Sequence, residues 1–108
     1  MKLILAFVQD RDAPRLVSAL TKRNFRATML ASTGGFLRRG NTTIASGIDD
    51  NDVSEWIKLA EIHCCERMEP VMYGHDPDLI PWYPPGLLEV PVGGAVIFVL
   101  NVERFEQL

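Results

Sequence analysis

The stretch KLILAFVQDRDAPRLVSALTKR, residues 2–23, decides the fold class. Lys2 to Gln9 is a nearly continuous apolar run, the pattern of a strand covered on both faces. Asp10 and Asp12 follow as candidate helix caps. Pro14 suits a first helical turn, where its missing N–H is not needed. Ala13, Leu16, Val17 and Leu20 then recur at i, i+3, i+4 and i+7, one apolar stripe along a helix. Lys22 and Arg23 close that helix at the end where its dipole favours cations.

Outward from this unit, Arg26 to Leu37 reads as a strand running into a Thr33-Gly34-Gly35 turn. Thr42 to Ile48 reads as a short strand of small and β-branched residues, joined to the first by a hairpin-like Arg38–Asn41. Asp49, Asp50, Asn51 and Asp52 crowd a second helix start, with Glu55 spaced for a capping box from Asp52. Val53, Trp56, Ile57, Ala60 and Cys64 repeat at helical spacing. Glu69 to Pro91 holds six of the seven prolines together with Met72, His75, Trp82 and Tyr83, and reads as a long functional or assembly loop. Gly93-Gly94 then opens a last apolar strand, Ala95 to Val102. The order β-α-β-β-α-β predicts a single α/β (α+β) domain over residues 1–108, of the ferredoxin-like pattern. Helices on one face of four strands leave the other face to be covered, so self-association is expected.

Hydrophobic residues make up 47% and charged residues 23%, the balance of a soluble globular protein. No apolar run approaches the roughly 20 residues that span a bilayer. The apolar start is short and meets Asp10, Arg11 and Asp12 at once, which argues against a signal peptide and predicts a cytoplasmic protein without a membrane partner. Cys64 and Cys65 are adjacent and read as reduced thiols, because so short a ring strains a disulfide. Net charge is −3, which argues against general nucleic-acid binding. Its distribution carries more information. Ala13 to Ile48 contains no Asp or Glu but holds Arg15, Lys22, Arg23, Arg26, Arg38 and Arg39. A carboxylate-free third in an acidic chain is a candidate site for a small anion, or else a solvated face.

P-loop, GxGxxG, GxSxG and HExxH signatures are absent, and no nucleophile–base pair is visible, so no enzyme is expected. His63, Cys64 and Cys65 with distant His75 do not follow a known metal-ligand spacing, and a buried structural thiol is the simpler reading. Trp82 and Tyr83 read as loop packing before ligand caging. The segment NFRATMLASTGGFLRRGNTTIASG, residues 24–47, is different. Arg26 offers a positive fork for phosphate and Thr28 a hydroxyl. Gly34 and Gly35 let backbone N–H groups approach closely, and Phe36 and Leu37 form a platform for a base. Asn41 suits an adenine edge and Asn24 a ribose hydroxyl. Singly each residue has a bland reading, as core, turn or bend; together they describe a site for a purine-bearing anion.

The runs Asn24-Phe25-Arg26-Ala27-Thr28, Thr33-Gly34-Gly35-Phe36-Leu37-Arg38 and Gly40-Asn41-Thr42-Thr43 resemble the hallmark stretch of the bacterial cyclic-di-AMP receptors of the P-II-like superfamily. Val8-Gln9-Asp10, Val92-Gly93-Gly94-Ala95 and Phe98-Val99-Leu100 resemble that family too. The resemblance implies a homotrimer with ligand pockets between subunits, no catalysis and no cofactor, and a signal passed by loop ordering to an unknown downstream protein. It implies that Asn24, Arg26, Ala27, Thr28, Gly35, Phe36, Leu37, Asn41 and Gly47 contact cyclic di-AMP, with Phe98 and Gln107 closing the pocket. Residues 38–41 correspond to the short T-loop of these proteins and 69–91 to their long B-loop, whose Ile80-Pro81-Trp82-Tyr83-Pro84-Pro85 departs from the hallmark. Two alternatives share the fold: a P-II-type sensor of ATP or another adenine nucleotide, and a trimeric metal-binding protein of the copper-tolerance type.

Overall fold

β1 (Lys2–Gln9) is an inner strand of a four-stranded sheet in a computed structural model that describes residues 1–32, 40–73 and 86–108. α1 (Ala13–Lys22) follows it, then β2 (Thr28–Ser32) and β3 (Asn41–Ile48). A 3-10 turn (Asp50–Asp52) leads into α2 (Val53–Cys64). β4 (Arg67–Tyr73) and β5 (Gly86–Val92) form a separate two-stranded ribbon, and β6 (Ala95–Asn101) returns to the sheet. Sheet order is β2-β3-β1-β6 with every neighbour antiparallel. Inserting β3 between β1 and β2 is the split β-α-β arrangement of the ferredoxin-like fold expected from the element order. No helix among the described residues is long and apolar enough to cross a membrane.

Side chains alternate across a strand, so β1 feeds two different environments. Ile4, Ala6 and Val8 are fully buried beneath the helices with Ile44, Leu16, Leu20, Trp56 and Ala60. Leu3, Leu5 and Phe7 point the other way and are only partly covered. The apolar run that reads as a strand covered on both faces is therefore covered on one face within a single chain.

Both helix starts differ from the capping expected. Asp12 occupies the N-cap position of α1 without a side-chain cap bond. It lies 0% exposed and accepts from Arg15 Nη2 at 2.9 Å and Arg67 Nη2 at 3.0 Å. A buried carboxylate is worth more to two guanidinium groups than to one amide. The Asp52–Glu55 capping box does not form either, since Asp52 makes no side-chain cap bond. Glu55 instead pairs with Arg23 and ties α2 to the end of α1.

The stretch expected as a loop over 69–91 is, in its described parts, an antiparallel ribbon with pairs from Arg67–Val92 to Tyr73–Gly86. Residues 74–85 lie outside the described ones, and with them His75, Trp82, Tyr83 and four of the prolines. Prolines inside a ribbon have a register rule. Met68–Pro91 and Pro70–Glu89 stand two rungs apart, so they are pairs of one type. Rungs alternate between hydrogen-bonded and non-bonded pairs, and a residue without an N–H fits the non-bonded set at no cost in ladder bonds. Proline density alone cannot distinguish that arrangement from a loop.

The two thiols at the end of α2 differ sharply. Cys64 is buried, and burial first, then the Asp12 charge, pushes its pKa up to about 12. Cys65 is exposed. An aromatic disulfide reagent at about pH 8 is expected to modify one thiol per folded chain quickly, Cys65, and the second only on unfolding. Two fast equivalents would contradict the burial.

Candidate functional site

The segment after α1 starts with a backbone device. The Asn24 N–H donates to the Thr21 carbonyl at 3.0 Å, and the Phe25 N–H donates to the Leu20 carbonyl at 2.9 Å. These two bonds are a Schellman helix end, which puts a left-handed residue just past the C-cap. Asn24 takes that conformation with φ 62°. Asparagine tolerates it better than most residues, so the fold itself already accounts for a small polar residue here. The turn sends the chain into Arg26, whose carbonyl accepts the Ser46 hydroxyl from β3. Ala27 packs beside Phe25 against the core edge, and Thr28 begins β2.

Asn24, Arg26 and Gly47 meet around a cleft of ≈ 190 Å³, with Met1, Phe25, Ile48, Asp49 and Asp52 completing its wall. Two carboxylates thus stand beside Arg26. The other cations of the carboxylate-free third go elsewhere. Arg15 pairs with Asp12, Arg23 pairs with Glu55, and Lys22 lines a groove between α1 and α2. Arg38 and Arg39 lie outside the described residues. The sequence stretch is uniform in charge, and the fold disperses it over two surfaces.

Register places the remaining expected residues. Thr28 lies opposite Ala45, Ala45 opposite Leu5, and Leu5 opposite Phe98, so one row crosses all four strands on the face away from the helices. Gly47 and Asn41 lie on that same face of β3, opposite Leu3 and Gln9. Thr28, Gly47 and Phe98 therefore share the open face, while Asn41, of the same parity, is buried at the end of β3. They do not form one small pocket. Asn41 and Gly47 are six residues apart on β3, about 20 Å of extended strand, and three strand spacings put Phe98 about 14 Å from Thr28. Gln107 lies in the exposed stretch beyond β6 and is not among the residues lining the Asn24 cleft. Gly35, Phe36 and Leu37 lie outside the described residues, as do Arg38 and Arg39 of the 38–41 connection; Ser32 pairs with Asn41, leaving residues 33–40 between them.

Around Phe98 the open face carries further apolar residues, Phe7, Leu30 and Leu100, that were not among the expected site residues. Phe7 meets the Phe98 ring edge-on, with centroids 6.0 Å apart and planes at 87°. Leu30 and Leu100 are 51% and 43% exposed, and Phe98 is 43% exposed. Period-two alternation within the continuous run of β1 was the available signal, and the run's uniform hydrophobicity hid it. Among the described residues no three His, Cys, Asp or Glu side chains converge as metal ligands.

The family model described as "Cyclic-di-AMP receptor" matches residues 1–108. The chain belongs to the cyclic-di-AMP receptor family. Membership makes it a binding and signalling protein by class, with cyclic di-AMP as the ligand of the family. The fold is also that of a crystal structure described as a functionally unknown protein from Pediococcus pentosaceus ATCC 25745. That protein is 37% identical to this receptor-family chain, with a TM-score of 0.79 over 99% of this chain and 96% of the other.

Proposed function

We propose that this receptor binds cyclic di-AMP between copies of itself and relays binding through rearrangement of the 33–40 segment and the β4–β5 ribbon. The observation that carries this reading is the spread of Thr28, Gly47 and Phe98 over one open, apolar sheet face. A ligand held by Asn24, Arg26 and Thr28 at the β2–β3 side and closed by Phe98 and Gln107 needs those last two from a neighbouring copy. A trimer supplies them and covers Leu5, Phe7, Leu30 and Leu100 in the same step. Arg26 and Thr28 serve a phosphate, Ala27, Gly35 and Gly47 allow close approach, and Phe36, Leu37 and Asn41 serve the purine. A cyclic dinucleotide presents two phosphates and two adenines, which suits that inventory. The protein acts in this reading as a single cytoplasmic domain without a cofactor, and its output partner is a protein.

Titration calorimetry with cyclic di-AMP, ATP and ADP tests the reading, alongside light scattering for a mass three times that of the chain. About one cyclic dinucleotide per chain is expected, with ATP and ADP far weaker. No heat at 100 µM, roughly −5.5 kcal/mol, overturns it. Asn24→Gly sharpens the test, because glycine is the best residue for the left-handed helix end. This variant is expected to keep its melting temperature and to bind about 2- to 10-fold more weakly, the worth of one side-chain hydrogen bond. Unchanged affinity would leave Asn24 as a helix cap alone.

A further inference from the structure

Four consecutive residues from the end of β1, Gln9, Asp10, Arg11 and Asp12, together bond to three loop roots. Gln9 Oε1 accepts the Gly93 N–H at 2.7 Å, between β5 and β6. The Asp10 N–H donates to the Gly40 carbonyl at 2.6 Å, and Asp10 Oδ1 accepts the Thr42 hydroxyl at 2.6 Å. Arg11 pairs with Glu69 on β4. Asp12 holds Arg67 Nη2, while Arg67 Nε donates to Glu69 Oε1 at 3.0 Å and Arg67 Nη1 to the Cys65 carbonyl at 3.2 Å. The Asp12 N–H closes the turn on the Gln9 carbonyl at 2.9 Å.

Both flanking glycines are shaped by this group. Gly40 has φ 54°, and a Cβ there would lie 2.8 Å from Asp10 Oδ2. Gly93 has φ 83°, and a Cβ there would lie 2.6 Å from Arg67 Nη1 and would overlap the Cys65 carbonyl. The backbone is thus seated against Asp10 at one root and, at the other, against Arg67, which Asp12 holds. Neither root can shift without changing bonds in the same tight turn.

We propose that Gln9–Asp12 is a coupling bracket that joins the root of the 33–40 segment, at Gly40–Thr42, to both roots of the β4–β5 ribbon, at Arg67–Glu69 and Gly93. Asp10 is a positioning residue for Asn41, which stands between the two groups it bonds. Asp12 and Arg11 fix the direction in which the ribbon leaves the sheet. A ligand seated at Asn41, between Gly40 and Thr42, immobilises Asp10, hence the turn, hence the ribbon root. By linkage, whatever seats the ribbon raises ligand affinity by the same factor. This relay rests on the reading of residues 24–47 as the ligand site, but the bracket itself exists without ligand.

Amide hydrogen exchange by NMR on the full chain tests it in two stages. In ligand-free protein, Arg67→Lys keeps the charge and loses the fork to Asp12. It is expected to speed exchange of the Asp10 amide, on the other side of the bracket, by at least about tenfold, with the Leu5 amide in mid-strand unchanged. Thr42→Val is expected to speed the Gly93 amide in the reciprocal direction. Effects confined to the mutated side overturn the proposal, and so does an equal change at Leu5, which would report global loosening. Should Arg67→Lys not fold, Glu69→Gln on the exposed side gives the same readout. With cyclic di-AMP added, the Gly93 and Gly94 amides are expected to slow in the wild type and not in Thr42→Val. Ligand binding without that protection overturns the relay. No binding at all overturns the ligand reading, and the ligand-free exchange still decides the bracket.

Discussion

Gly47→Val is expected to leave the chain folded, at an equal or higher melting temperature, and to weaken cyclic di-AMP binding by roughly 10- to 100-fold. Gly47 sits inside β3, exposed on the open face opposite Leu3. A glycine in a strand interior costs about 0.5–1 kcal/mol relative to alanine, because it loses more backbone freedom and packs nothing. A left-handed backbone angle or a crowded Cβ normally compensates. Gly47 has neither, since it is not among the glycines with positive φ and a Cβ there would have nothing within 4 Å. Nothing among the described residues requires a glycine at this position. The residue fits the second reason for a strand glycine, close approach by a ligand or another backbone.

Valine adds three carbons at that surface and a β-branched residue the strand accepts well. Calorimetry and light scattering on the same sample separate the two possible visitors. Lost affinity at unchanged mass assigns the space to the ligand. A smaller assembly assigns it to the neighbouring copy. Full affinity at full mass removes Gly47 from the site.

Periodicity explains which parts of this fold were legible. The strand at Lys2–Gln9 and the helices at Ala13 and Val53 follow from apolar spacing, because one buried stripe per element is what packing demands. The ribbon was not legible, because Pro70 and Pro91 mark breaks by composition and fit rungs only by register. The capping residues misled for a related reason. Asp12 and Glu55 have the right spacing for local backbone bonds, but Asp12 pairs with Arg15 of its own helix and Arg67 of β4, and Glu55 pairs with Arg23 at the end of α1.

The site shows the same division. Residues 24–47 read as a candidate ligand segment because polar, small and hydroxyl types cluster there without carboxylates. Their spatial partners were not legible, since Asp49 and Asp52 join the Arg26 cleft from beyond the stretch. The Gln9–Asp12 group was visible only as caps. Its bonds to the loop roots reach residues 30 to 84 positions away, and no local pattern encodes them.

Trp56→Ala is expected to cost about 3–5 kcal/mol, the range for removing a large aromatic from a well-packed interior. Trp56 is fully buried on α2 and packs in the core with Ile4, Leu16, Leu20 and Ile44. Domains of this size hold only about 5–15 kcal/mol in total. At roughly 4–8 °C per kcal/mol the melting temperature falls by tens of degrees. Trp56→Phe separates the causes. The indole Nε1 is buried with no hydrogen-bond partner among the described residues, so phenylalanine loses volume but breaks no bond. It also removes a buried N–H that had been desolvated without return. Phenylalanine is therefore expected to cost well under half as much as alanine in urea denaturation. Equal costs would mean that the indole N–H is bonded in the assembled protein. A cost below about 1 kcal/mol for alanine would mean that α2 is not held on the sheet by this side chain. The same helix ends at Cys64, whose carbonyl accepts the Gly94 N–H, one residue before the carbonyl that Arg67 holds. Loosening α2 at Trp56 is expected to raise exchange at Gly94 before the sheet amides, because the ribbon root is anchored through that helix end.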